Sequence, residues 1–165
     1  MKTLLLILIT SFSIPTFAED STEAPALKAF ASDYCSMWPE GKTEDPSQWA
    51  DCCFTHDLHY WIGGTEDERK TADKELKSCV KLSGASFESF LMYIGVRIGG
   101  NPGEASYAWG FGWSQSRGYE KMPHEDLVTA KTLLENSEYN NNESTRPLIA
   151  HFIDEVLSAK LDSFK

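Results

Sequence analysis

The stretch DCCFTHDLHYWIGGTEDERKTADKELKSCV, residues 51–80, holds three of the four cysteines and has the periodicity that decides the fold. Cys52, His56 and Tyr60 recur at i, i+4 and i+8, and Cys53 and Asp57 at i and i+4. Two neighbouring stripes of one helix therefore carry the chemically distinctive side chains. Gly63 and Gly64 break that helix, because both tolerate the left-handed backbone that closes a helix C-terminus. Thr65 or Asp67 then caps a second helix through Arg69, Ala72, Leu76, Cys79 and Val80, and the reading is a helical hairpin. Were Cys52 bonded to Cys79 at the ends remote from the turn, His56 would lie about 6 Å along the first helix, level with residues 72–75 of the second. An acid is expected to meet the imidazole there, and spacing alone leaves Asp73 and Glu75 both open.

The run Cys52-Cys53-Phe54-Thr55-His56-Asp57-Leu58-His59-Tyr60 resembles the catalytic helix of the secreted phospholipase A2 family, in which two cysteines and two variable residues precede His-Asp, and a tyrosine follows. That family also places a second catalytic aspartate six residues before a cysteine bonded to the first of the pair, and Asp73 stands six residues before Cys79. The resemblance covers about a quarter of the chain and nothing beyond residue 80. It implies Asp73 over Glu75, with disulfides Cys52–Cys79 and Cys35–Cys53. It also implies that Tyr60 hydrogen-bonds the aspartate. Adjacent cysteines on a helix point in different directions, which suits separate partners.

The chemistry gives each residue a role. An imidazole can take a proton from water at neutral pH when a carboxylate on its other nitrogen fixes the tautomer, so His56 is the expected base and Asp73 its orienter. Ester hydrolysis also needs stabilisation of the oxyanion, and a hard divalent cation beside the base supplies it. Asp57 is placed for Ca²⁺. Residues 34–42, YCSMWPEGK, sit where the resembled family has a glycine-rich calcium loop, but only Gly41 remains of the glycines and Pro39 intervenes. The carbonyls of Ser36, Trp38 and Gly41 are the expected further ligands. The function implied is calcium-dependent hydrolysis of a glycerophospholipid acyl ester, with a phospholipid substrate and transient contact with a membrane surface. Two alternatives stand beside it: a non-catalytic phospholipase A2-like binding protein, and a metal-dependent phosphohydrolase in which His59 joins His56 as an i, i+3 metal pair. Zinc needs more ligands than this neighbourhood offers, so a surface position is expected for His59.

Residues 1–18, MKTLLLILITSFSIPTFA, read as a cleaved secretory signal: one lysine, an apolar run from Leu4 to Ile9 and a small-residue end at Ala18. A secreted or periplasmic location follows, with residues 19–165 forming a single domain. No later stretch is apolar for long enough to span a bilayer. Four cysteines in an exported chain read as two disulfides, with three possible connectivities. The formal charge is −10, and −11 once Lys2 leaves with the signal. Such a surface is repelled by nucleic acid and gains little from anionic lipid.

Outside the hairpin, Leu27, Phe30 and Ala31 suggest a short helix over residues 26–34, and Ser47 or Asp51 a cap for the central helix, with Trp49 as an anchor. Phe87, Phe90, Leu91, Ile94 and Ile98 specify an amphipathic helix. Tyr107, Trp109, Phe111, Trp113 and Tyr119 lie among glycines and are expected to pack around the hairpin, with Arg117 pairing an acid. A helix starts at Pro123 with Leu127, Ala130 and Leu134 inward, and another at Pro147 with Phe152, Ile153 and Leu157 inward. His124 and His151 read as surface residues. The expected fold is all-α, phospholipase A2-like: a disulfide-linked antiparallel helix pair with additional C-terminal helices.

Overall fold

Gly63 and Gly64 reverse the chain between its two central helices. The computed structural model describes residues 25–103 and 105–165, so the signal reading over residues 1–18 lies outside the described residues. Helix α1, Ala50–Ile62, ends at Gly63 with φ 74°, and Gly64 follows at φ 139°. Helix α2, Glu66–Leu82, begins with a capping box: the Thr65 hydroxyl accepts from the Glu68 amide at 3.3 Å, and Glu68 Oε2 accepts from the Thr65 amide at 2.6 Å. Three acids in its first turn complement the helix dipole. A disulfide from Cys52 to Cys79, with Cα atoms 5.7 Å apart, ties the start of α1 to the end of α2 and makes the pair antiparallel. A second, Cys35–Cys53, fastens the preceding loop to α1.

Helix α3, Ser86–Gly99, returns along α2. Helix α4, His124–Glu135, leads through a 3-10 turn, Glu138–Asn141, to the C-terminal rod. That rod comprises α5, Arg146–His151, a π-helical segment, Phe152–Leu157, and α6, Ser158–Asp162, with helical backbone at both junctions. Among the described residues only two isolated bridges occur, Leu27 with Trp113 and Lys42 with Asp45, and the fold is all-α. Phe54, Leu58 and Trp61 of α1 pack against Leu127 and Leu134 of α4 and against Phe152 of the rod to form the main core.

The last turn of α1 explains the interleaving of aromatics and glycines in residues 109–113. A helix ends with carbonyls that lack partners. Here Tyr60 O accepts from Gly110 N–H at 2.7 Å and Trp61 O from Gly112 N–H at 3.0 Å. Ile62 O accepts from the Trp113 indole at 2.8 Å, and just beyond, Gly64 O accepts from the Trp109 indole at 2.8 Å. The backbone comes so close that a Cβ on Gly112 would stand 2.6 Å from Trp61 O. The expected packing of Trp109 and Trp113 is seen, whereas Tyr107 stays half exposed.

Two expectations are corrected, and one helix turns an unexpected face to solvent. Residues 26–34 form no helix, because Lys28 N–H bonds Gly112 O and Ser114 N–H bonds Ala26 O around the isolated Leu27–Trp113 bridge, while Phe30 still reaches the core. Neither Ser47 nor Asp51 caps α1; its N-cap is Trp49, with no side-chain cap bond, and burial of Trp49 with its indole on Pro39 O at 2.6 Å fixes the entry instead. The amphipathic helix α3 forms as expected, and its stripe of Phe87, Phe90, Ile94 and Ile98 faces outward. Urea denaturation is expected to show that Gly112→Ala costs about 2 kcal/mol or more through overpacking, against about 1 kcal/mol for loss of the α2 cap in Thr65→Ala.

Candidate active site

One turn of α1 separates His56 from Tyr60, and both face α2 at the height of Asp73. His56 Nε2 lies 2.9 Å from Asp73 Oδ1, and the Tyr60 hydroxyl donates to the same oxygen at 2.8 Å. Arg97, from α3, donates through Nη1 to Asp73 Oδ2 at 2.6 Å. Glu75, the other acid that spacing had left open, is exposed and reaches His59 at 3.5 Å instead. Asp73 has no solvent exposure. Burial alone would raise its pKa, but the hydrogen bonds from His56 and Arg97 outweigh that and hold the carboxyl below its ordinary range. An ionised carboxylate only accepts, so Nε2 of His56 carries the hydrogen, and in the neutral imidazole the lone pair is on Nδ1.

Arg69, one turn before Asp73 on α2, is buried with every N–H used. Nε donates to the Tyr60 hydroxyl, Nη1 to Asn101 and Tyr119, and Nη2 to the carbonyls of Val96 and Arg97. Burial and the neighbouring Asp73 push the Tyr60 phenol above its usual pKa, which keeps it a donor.

Asp57 has the opposite environment. Burial pushes its carboxyl up to about 8, against a hydrogen bond from Ser32 and with Asp33 adding to the rise. The Ser32 hydroxyl donates to Oδ2 at 2.6 Å, and no ion pair reaches this carboxyl among the described residues. Asp57 lines a cavity of about 390 Å³ together with His56, Tyr60 and residues 34–38 of the loop. Tyr34 and Ser36 of that loop hold positive φ, 62° and 48°, a conformation non-glycine residues rarely adopt. Trp38 lines the cavity with them, but Gly41 does not; it is packed against the backbone of residues 45–48, where a Cβ would stand 2.6 Å from the Pro46 carbonyl carbon. Leu91, Met92, Gly95, Val96 and Gly99 of α3 make the facing wall apolar.

The residues present fit a hard dication. A buried carboxyl without a cationic partner sits beside a curled loop whose carbonyls are the oxygen donors such an ion takes. No group of three or more His, Cys, Asp or Glu side chains suited to a metal occurs among the described residues, so the donor set would be Asp57 with main-chain oxygens and water. His59, expected at the surface, is largely covered: its ring meets Phe152 edge-on at 4.9 Å, and burial, with His56 and Lys160 adding, pulls its pKa down to about 3.

Sequence reasoning missed Arg69, Arg97 and Ser32. Arg69 had left a signal, since it is a charged residue on the inward stripe of α2, one turn from Asp73. Arg97 and Ser32 reach the site only through tertiary folding.

Comparison of the chain with protein-family models, curated proteins and solved structures returns no match, so the chemistry of this cluster rests on its own geometry. Because the folded pKa of Asp73 is depressed, its contribution to stability is present above the ordinary aspartate pKa of about 3.9 and is lost as pH falls through the folded value. Asp73→Asn is therefore expected to destabilise the fold at pH 7 by about 3–5 kcal/mol, since it strands buried positive charge, and to flatten the acid limb of a stability profile measured by denaturant titration. Arg97→Met is expected to raise the pKa of Asp73, moving the start of acid unfolding to higher pH, and Arg97→Lys to restore part of the difference.

Proposed function

We propose that this chain is a phospholipase A2-like carboxylic ester hydrolase acting on a glycerophospholipid, with calcium as its cofactor. The observation that carries this reading is a histidine whose Nε2 is tied to a buried ionised aspartate while its ring opens on an apolar-walled cavity beside a second, uncompensated carboxyl. Water is the nucleophile. His56 Nδ1 takes its proton as the oxygen adds to the ester carbonyl, and the imidazolium returns that proton to the departing alkoxide. Asp73 fixes the ring and stabilises its charged form, while Tyr60 and Arg97 hold Asp73 still. Calcium, when bound through Asp57 and the carbonyls of Ser36 and Trp38, supplies electrophilic stabilisation of the developing oxyanion. The apolar wall suits an acyl chain: Gly95 and Gly99 leave it open, with nothing within 4 Å of an added Cβ at either.

Two disulfides fit an oxidising compartment, and we place the protein outside the cytoplasm. Among the described residues no helix is long and apolar enough to cross a membrane. The phosphohydrolase reading gains no observation, because His59 is turned to Phe152 and Glu75.

His56→Gln is expected to lower calcium-dependent fatty acid release from phospholipid by about 10²-fold or more with an unchanged circular dichroism spectrum. Asp57→Asn is expected to abolish both the release and the calcium-induced rise in melting temperature. Gly95→Phe is expected to fold but to block the long-chain substrate while sparing a short-chain one. Wild-type activity in His56→Gln, or full turnover in chelator, defeats the mechanism.

A further inference from the structure

Helix α3 carries Phe87, Phe90, Ile94 and Ile98 at helical spacing, the pattern that normally turns inward. Here it turns outward: Phe87 is 70% exposed and Ile98 73%, while the helix buries Ser89 and Met92. Leu82 at the end of α2 and Met37 in the loop are also fully out in solvent. At about 100° of rotation per residue, Leu91 and Gly95, which line the cavity, stand next to this stripe. The exposed face is thus one rim of the cavity mouth.

The other flank of the stripe is basic. Lys74, Lys77 and Lys81 follow one another along α2, and the Lys77 ammonium lies 4.9 Å from the ring of Tyr93 and 5.8 Å from that of Phe90. Residues 74–99 contain four basic side chains, of which Arg97 is committed to Asp73, and two acidic ones, in a chain whose formal charge is −10. One of those acids, Glu88, faces Lys42 at 3.8 Å.

We propose that this face docks on an anionic lipid bilayer, with the apolar side chains of α3 entering the acyl boundary and the α2 lysines meeting headgroup phosphates. An apolar stripe bordered by lysines is the pattern of a helix lying in a membrane interface. The acidic remainder of the chain is repelled by the same surface, which orients the molecule with its cavity toward the lipid. The purpose of the docking rests on the lipid-hydrolase reading; the docking itself needs no catalysis.

The test is co-sedimentation with vesicles of phosphatidylcholine alone and of phosphatidylcholine mixed with phosphatidylglycerol, in chelator so that no hydrolysis occurs. The wild type is expected to bind the mixed vesicles more tightly, with a preference that falls as salt rises. Phe87→Gln with Ile98→Gln is expected to weaken binding to the mixed vesicles about tenfold or more, and Lys74→Glu with Lys81→Glu to remove the preference for phosphatidylglycerol. Both variants are expected to keep the wild-type rate on a monomeric short-chain ester. Unchanged binding in the Phe87/Ile98 variant overturns the proposal, as does a wild type that binds neither vesicle, including one found as a dimer that this variant makes monomeric. Vesicle binding that follows the expected pattern without any calcium-dependent ester hydrolysis leaves the docking face standing and removes the hydrolase reading.

Discussion

A carboxylate without access to solvent must be supplied with donors or the fold does not close around it. Asp73 is that group, and its donors come from different helices. His56 and Tyr60 reach it from α1 and Arg97 from α3. Arg69, on Asp73's own helix, extends the network by binding the Tyr60 hydroxyl and two carbonyls in the last turn of α3. A cation at a helix C-terminus also opposes the dipole there. Helix α3 is therefore seated by polar contacts at its C-terminal end and by Met92 and Val96, which pack in one apolar cluster with Leu76 and Val80 of α2. Its apolar stripe is not needed for attachment and is left outside.

The same network separates the two carboxyls of the site by environment. Asp73 is buried among donors and a guanidinium, and stays ionised. Asp57, adjacent to His56 in sequence, is buried with one hydroxyl donor, and its carboxyl rises to about 8. Divergent environments around paired titratable groups are how a single fold assigns different roles to chemically identical side chains. One aspartate here is a fixed anion held by donors from two other helices; the other is a buried carboxyl with no cationic partner among the described residues.

The hairpin was legible because two signals agreed: i, i+4 spacing over residues 52–60 and a glycine pair where that spacing stops. Spacing could not choose between Asp73 and Glu75, since a modest error in helix rotation exchanges them, and only tertiary placement of α1 against α2 separates them. The spacing of Leu27, Phe30 and Ala31 misled because apolar residues three and four apart say nothing about where backbone amides find partners. Here Lys28 N–H finds its partner in Gly112, more than eighty residues away, and Ser32 N–H finds its own in the Tyr139 hydroxyl. Periodicity likewise gave α3 its helical form but not the direction of its apolar face. Net charge concealed the lysines of α2, because a sum over the chain discards position.

The loop of residues 34–38 shows how a scarcity of glycine is accommodated. Left-handed backbone costs a residue with a Cβ about 1–2 kcal/mol, and both Tyr34 and Ser36 adopt it. Cys35, between them, is bonded to Cys53 on α1, one residue beyond Cys52, which is bonded to α2. The Tyr34 ring packs on Phe54, its amide bonds the Ser32 hydroxyl at 3.0 Å, and the Ser36 hydroxyl bonds Asp33 at 2.8 Å. The curl is thus imposed by a covalent tether and flanking contacts, not by intrinsic freedom of the chain. A strained segment persists only where its surroundings over-determine it, and such segments concentrate at functional sites. This one lines the same cavity as Asp57 and His56, so the tether that holds its curl also fixes one wall of the candidate site.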